Sequence, residues 1–293
     1  MVLFLIVSFF FFSVSFVSVD TISVQKEIDW EKGVLYLNIT KPIETEDERQ
    51  PDGRYITEMR IREMMPDIFL SYALELHVDS YNTLGDMLDK ERQSIKSLNK
   101  IIGQGKKEYA CLSEDLNNIK IKYSYPFFGE NGIATAFIWH SLANPVNRKL
   151  GFIPSRKYTG LIIYAKGEYM SHGKDISVRL EPALFPTLYD KEMNVILDKH
   201  MCVPDYLKQW GMVLYTDSTD EIPFTRRIGL DPLRTIAEGI FGKHNGDIIL
   251  PEDAVNKLIC RQENRQMLQE GRILIILDKE QIQVLKTIIQ VEE

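Results

Sequence analysis

The sequence predicts an α+β fold in two units: an N-terminal strand-helix-helix-strand-strand unit, and a C-terminal mixed-sheet unit with a late helix. Three observations carry this. The second half holds short apolar runs bounded by Gly, Asp or Lys, at 158–167, 210–215 and 272–278. Such runs suit strands covered on both faces. The first half instead shows helical spacing over 55–102, flanked by alternating segments at 34–39 and 118–126. Between them, Asn144-Pro145, Gly151 and Pro154-Ser155 punctuate the chain. The expected division is therefore 1–19 leader, 20–150 N-terminal unit and 151–293 C-terminal unit.

Residues 1–19 carry no charged side chain, and residues 2–12 are almost purely Val, Leu, Ile and Phe. Three serines follow, and Ser13-Val14-Ser15 fits the small-x-small rule for cleavage after Ser15. This reads as either a cleaved signal for Sec-type export or a retained N-terminal anchor. Periplasm or cell envelope is the expected location, with membrane contact only through this segment if it is kept.

In the first unit, Ile28-Asp29-Trp30-Glu31-Lys32-Gly33 reads as a turn into the strand Leu35, Leu37, Ile39. Asn38-Ile39-Thr40 is a formal glycosylation sequon, taken as chance. The polar stretch 41–54 is a loop. A helix follows from Tyr55, kinked at or restarted after Pro66, and a second one spans Leu84 to Ile102. Strands are expected at 118–126 and 132–141. In the second unit, Pro182-Ala183-Leu184-Phe185-Pro186 predicts an extended ribbon. Val195 to Asp198 reads as a strand, and Tyr206 to Gln209 as a short turn into a strand starting at Trp210. One strand is expected over 233–241 and a short edge strand at 247–250. Pro251-Glu252-Asp253 opens a helix that Gly271 ends. A final amphipathic helix is expected through Ile282, Leu285, Ile288 and Ile289.

The chain has 293 residues and a formal net charge of −7. That balance argues against a phosphate-backbone binder, so no nucleic-acid partner is expected. Arg148, Lys149, Arg156 and Lys157 read as a solvated linker face. Cys111, Cys202 and Cys260 are odd in number and widely spaced, and are read as small buried hydrophobes rather than a disulfide framework or a metal knuckle.

The search for chemistry returns little. There is no Gly-x-Ser-x-Gly, and Gly103-Gln104-Gly105-Lys106-Lys107 lacks the spacing of a P-loop. His200-Met201-Cys202 does not match a zinc pair, and His77, His140, His172 and His244 are scattered. Asp217, Asp220 and Glu221 cluster in a polar stretch that could support acid–base work or hold calcium, but read as a solvated loop. No catalytic residue, cofactor or metal is expected. Tyr164, Tyr169, His172 and Trp210 are the candidates for a ligand cleft, on their aromatic character and nearby glycine turns.

Several blocks together carry a resemblance: residues 158–167, Pro182-Ala183-Leu184-Phe185-Pro186 with Asp190, Gly211-Met212-Val213, Gly229 with Pro232-Leu233-Arg234, Asp247-Ile248-Ile249, Asp253-Ala254 and 272–278. They resemble the C-terminal portion of exported bacterial proteins related to the LPP-type outer-membrane lipoprotein and flagellar accessory family, and Ile28-Asp29-Trp30 with Val78-Asp79-Ser80 resemble uncharacterised spirochaete exported members of that group. The resemblance implies an envelope location and envelope or flagellar partners, and supplies no catalytic residue. No lipobox Cys follows the leader, so the lipid anchor of that family is not expected. The resulting expectation is a non-enzymatic envelope protein working through protein–protein contacts. The alternative is a periplasmic small-ligand or glycan-binding module.

Overall fold

The computed structural model describes residues 21–43, 53–90, 92–149 and 153–291. The leader read at 1–19 lies outside them. The fold is α+β, with one antiparallel sheet backed by helices and a second part of mixed sheets with late helices.

The first sheet has the order β15-β1-β2-β4-β3. Its strands are β1 (Thr21–Asp29), β2 (Val34–Pro42), β3 (Lys106–Leu112), β4 (Asn118–Pro126) and the last of the chain, β15 (Gln283–Val291). In β2 strict alternation buries Leu35, Leu37 and Ile39 on one face. Against that face packs α1 (Gly53–Ala73), followed by α2 (Leu84–Lys90) and α3 (Arg92–Ile102). Phe69 of α1 meets Tyr125 of β4 with ring centroids 4.5 Å apart.

Three expectations in this region need correction, and two strands went unpredicted. Residues 21–29 form a strand; the charged Lys26 masked its period, yet Lys26 is buried and donates to Tyr72 O (3.2 Å) and Glu75 (2.9 Å). Helix α1 continues through Pro66 as one element, so it does not restart there. Pro66 is exposed, so water can serve the carbonyl its missing N–H leaves free. Strand β3 is an almost fully exposed edge with no alternation to betray it. Residues 132–141 are not a strand but a buried 3₁₀ turn at Ile133–Phe137 and irregular chain beyond. The tail is not an amphipathic helix: after α8 (Lys279–Ile282, behind α7 below) it pairs as β15 with the open edge of β1. The β-branched residues of 283–291 favour that pairing.

In the second part, β5 (Leu161–Tyr164) sits in a four-stranded parallel sheet of order β10-β14-β5-β11. The partners are β10 (Leu214–Thr216), β11 (Leu233–Ile236) and β14 (Ile273–Ile276). All four residues of β14 are buried, as a doubly covered parallel strand requires. A small hairpin, β6 (Tyr169–Met170) with β7 (Ser177–Val178), follows β5. A second sheet joins β12 (Gly239–Phe241), β13 (Asp247–Ile249), β8 (Leu188–Tyr189) and β9 (Val195–Leu197). The run 233–241 is thus two strands in two sheets. Helices α4 (Pro204–Trp210), α5 (Thr225–Ile228), α6 (Glu252–Ile259) and α7 (Gln262–Gln269) complete the part. Trp210 closes a helix rather than opening a strand, and the single late helix is split at Cys260-Arg261, where Arg261 is extended.

The two parts share one apolar core. The chain links them further through Leu184 N–H to His77 O (3.0 Å), Phe185 N–H to Val78 O (2.8 Å) and Gly129 N–H to Lys208 O (2.7 Å). A polar contact lies beside these. Ser80 Oγ donates to Phe241 O (3.1 Å) and accepts Gly246 N–H (2.9 Å). Asp247 is buried next to it, with Oδ1 accepting Thr187 N–H (2.8 Å) and Oδ2 without a partner among the described residues. Ser80 lies near the carboxyl, but its one proton serves Phe241 O. Desolvation first, with Asp79 repelling, pushes the Asp247 carboxyl up to about 7.

A carboxyl raised in this way binds its proton more tightly in the folded state, so it removes stability as pH rises from about 4 to about 7. His77, held down by desolvation and by His244, works in the opposite direction, losing stability as pH falls below about 6.5. We therefore expect Asp247→Asn to abolish only the first effect. Thermal melts from pH 4.5 to 7.5 should show the variant gaining on the natural chain as pH rises. A constant difference would contradict the buried, protonated carboxyl.

Candidate functional site

The four residues proposed for a cleft do not converge. Tyr164 ends β5, and its carbonyl accepts the Tyr169 hydroxyl (3.3 Å). His172 is exposed in the loop after β6, its N–H on Ile240 O (2.8 Å), and faces a shallow hollow with Met170, Lys174 and Glu238. Trp210 lies at the other end of the parallel sheet. Its indole N–H donates to Glu270 O (2.9 Å), just before β14, whereas Tyr164 pairs with Ile276 at the far end of that strand.

Trp210 instead lines a cleft of about 430 Å³ where the two parts meet. The first part contributes the β1–β2 turn with Trp30, Glu31 and Lys32, and the chain leaving β4 with Phe127 and Phe128. The second contributes the end of α4, the start of β10 with Tyr215, and Phe224, Arg226 and Arg227 at α5. The walls are aromatic. Trp30 meets Phe127 at 5.0 Å and Tyr215 at 5.7 Å between ring centroids, and Tyr206 stacks on Trp210 at 5.5 Å. The geometries are tilted or edge-on for the first two, as ring quadrupoles prefer. Junctions of domains with apolar walls and few polar groups are where small ligands bind most often.

Its polar anchor is Arg227, which is only 6% exposed. The guanidinium donates from Nε to Gly271 O (2.9 Å), from Nη1 to Trp210 O (2.5 Å) and from Nη2 to Gly211 O (2.9 Å). It also lies 5.2 Å from the centre of the Trp210 ring, with Arg272 at 5.8 Å. Among the described residues no carboxylate pairs with it. Desolvation pushes its pKa down to about 9, so it is still charged at neutral pH. Two glycine turns aim the carbonyls. Gly211 (φ +81) and Gly271 (φ +65) both occupy the left-handed region. A Cβ on Gly211 would strike the Phe128 ring, and one on Gly271 would lie 2.6 Å from Gly211 O.

The other candidates are engaged elsewhere. Glu221 is gripped by Arg234 (2.7 Å from Nε), Asp220 accepts Ile222 N–H (3.0 Å), and the Asp217 carbonyl accepts Lys166 Nζ (2.8 Å). They form turn and ion-pair contacts rather than a carboxylate pair facing a cleft. Cys202 is buried, its thiol raised by desolvation, and its carbonyl meets His140 Nε2 at 3.0 Å. Cys260 is half-buried and Cys111 exposed on β3, which corrects the reading of all three as buried. No group able to hold a metal occurs among the described residues, nor does a helix long and apolar enough to cross a membrane.

Of the cleft, sequence reasoning found Trp210 and missed Trp30, Phe127, Phe128, Tyr215 and Arg227. Trp30 and Phe127-Phe128 each follow a strand, so aromatic residues at neighbouring strand ends were the available signal. Arg227 offered none, because its acceptors are backbone atoms. Gly211→Ala tests the arrangement: the strained φ and the displaced Phe128 ring should cost about 1–3 kcal/mol in urea unfolding. An unchanged midpoint would contradict the packing.

Residues 21–130 match the family model described as Treponema pallidum Tp0624, N-terminal domain. Residues 160–279 match the model described as Treponema pallidum Tp0624, second domain. No curated protein matches the chain. Neither description names a lipoprotein, a flagellar protein, a ligand or an activity. The cleft lies where these two stretches meet, and over them the chain is similar to the first two domains of Tp0624, in the same order.

Proposed function

We propose that the chain is a non-enzymatic binding protein of the cell envelope, with the aromatic cleft at the junction of its two parts as the ligand site. The observation that carries this is the set of rings around one buried cation, with Trp30, Phe128 and Trp210 on the walls and Arg227 at the base. Flat apolar walls with few fixed polar groups are suited to holding a sugar or other flat small molecule. The lining supplies aromatic faces and a buried cation suited to holding a ligand. Export is supported by the uncharged apolar residues 1–19.

A second reading, contact with envelope or flagellar proteins, is favoured by a different feature. Strand β11 is the edge of the parallel sheet, and Leu230 (88% exposed), Ile222 and Ile236 stand out of the surface around it. Recovery of such proteins by the intact chain and not by Leu230→Asp would favour this surface over the cleft.

Two of the three tryptophans line the cleft, so indole fluorescence reports on it directly. Titration with cell-wall glycan fragments should give a saturable change, weakened at least about tenfold in Phe128→Ala, as the loss of an aromatic wall contact implies. Absence of any response across the panel would overturn the ligand reading. Recovery of the protein in the cytoplasmic fraction would overturn the envelope location.

A further inference from the structure

We propose that the cleft selects an organic monocarboxylate, its acid group received by Arg227 and its flat body held between Trp30, Phe128 and Trp210. This rests on the reading of the cleft as a ligand site and adds the charge and class of the ligand.

Arg227 is the starting point. A guanidinium has five N–H groups, and three here serve carbonyls, one each from Nε, Nη1 and Nη2. Each terminal nitrogen therefore keeps one further hydrogen in the guanidinium plane. A carboxylate has the matching planar pair of oxygens. Burial makes the pairing worth more: a cation shielded from water and held only by neutral dipoles is costly, and an incoming anion relieves it.

The charges of the lining set the valence. Lys32 is committed to Asp29, with Nζ at 2.8 Å from Oδ2. Glu31, the one carboxylate in the lining, accepts the Thr216 hydroxyl (3.2 Å), and Arg226 is exposed to water. The buried charge in the lining that has no carboxylate partner among the described residues is that of Arg227. One excess charge matches a monoanion better than a dianionic phosphate. The aromatic walls then call for a flat body, which a pyranose or an aromatic ring supplies.

Matched probes test this first on the intact chain. The intact chain is titrated, by fluorescence and calorimetry, with N-acetylmuramate against neutral N-acetylglucosamine, and with phenylacetate against phenylacetamide. Phenyl phosphate is the third arm. The acid of at least one pair should bind about tenfold or more tightly than its neutral partner, and phenylacetate more tightly than phenyl phosphate. Which pair responds identifies an acidic sugar or an aromatic acid as the source. Arg227→Lys, which keeps the charge but loses the fork, should reduce the ratio of acid to neutral-partner affinity about tenfold. Equal binding of acids and neutral partners would overturn the inference while leaving the cleft a ligand site. Preference for phenyl phosphate would overturn it in favour of phosphate. No binding of any probe would overturn both.

Discussion

The buried guanidinium of Arg227 is the interaction on which this end of the molecule depends. A cation taken from water must recover its hydration from the protein, and here three backbone carbonyls provide it. Those carbonyls come from two places far apart in sequence, the end of α4 and the turn before β14. Arg227 thus clamps the two elements at the start of the parallel sheet, and both it and Arg272 lie against the Trp210 ring. Loss of the clamp would leave three carbonyls short of a donor.

The geometry of the clamp explains the glycines and the aromatic wedge. Carbonyls turned towards Arg227 need left-handed backbone, which Gly211 and Gly271 supply. The lack of a side chain at Gly211 also leaves the room that the Phe128 ring occupies. Phe128 leaves β4 of the first sheet, so the space created by a backbone requirement in one part receives a side chain from the other. The tail strengthens the union, since β15 returns from the second part to pair with β1 along nine residues. A continuous core and a crossing strand make the junction a fixed feature, and the cleft within it a preformed one.

Much of the fold was legible where patterns are local. Leu35, Leu37 and Ile39 announce β2 by alternation, and Ile273 to Ile276 announce β14 by unbroken burial. The failures share a cause: the deciding partner is remote. Lys26 looks wrong for a buried strand position until Tyr72 O and Glu75 are placed beside it. The spacing of Ile282, Leu285, Ile288 and Ile289 fits a helix, and only the open edge of β1 makes it a strand. The site was less legible than the fold. Tyr164, Tyr169 and His172 are near one another in sequence with Tyr164 and Tyr169 in contact, but they lie at the end of the sheet away from Trp210. A buried Arg whose acceptors are all backbone carbonyls leaves no trace in a string of residue names.

The central claim is that Arg227 is both the clamp of this junction and the cation that a ligand meets. Nitrogen-15 NMR of the arginine side chains reads that atom by atom. During titration with N-acetylmuramate or phenylacetate, the account predicts a saturable shift of the Arg227 guanidinium signals, with Arg226 and Arg272 moving less. Saturable binding that shifts other residues and leaves the Arg227 signals in place would contradict it.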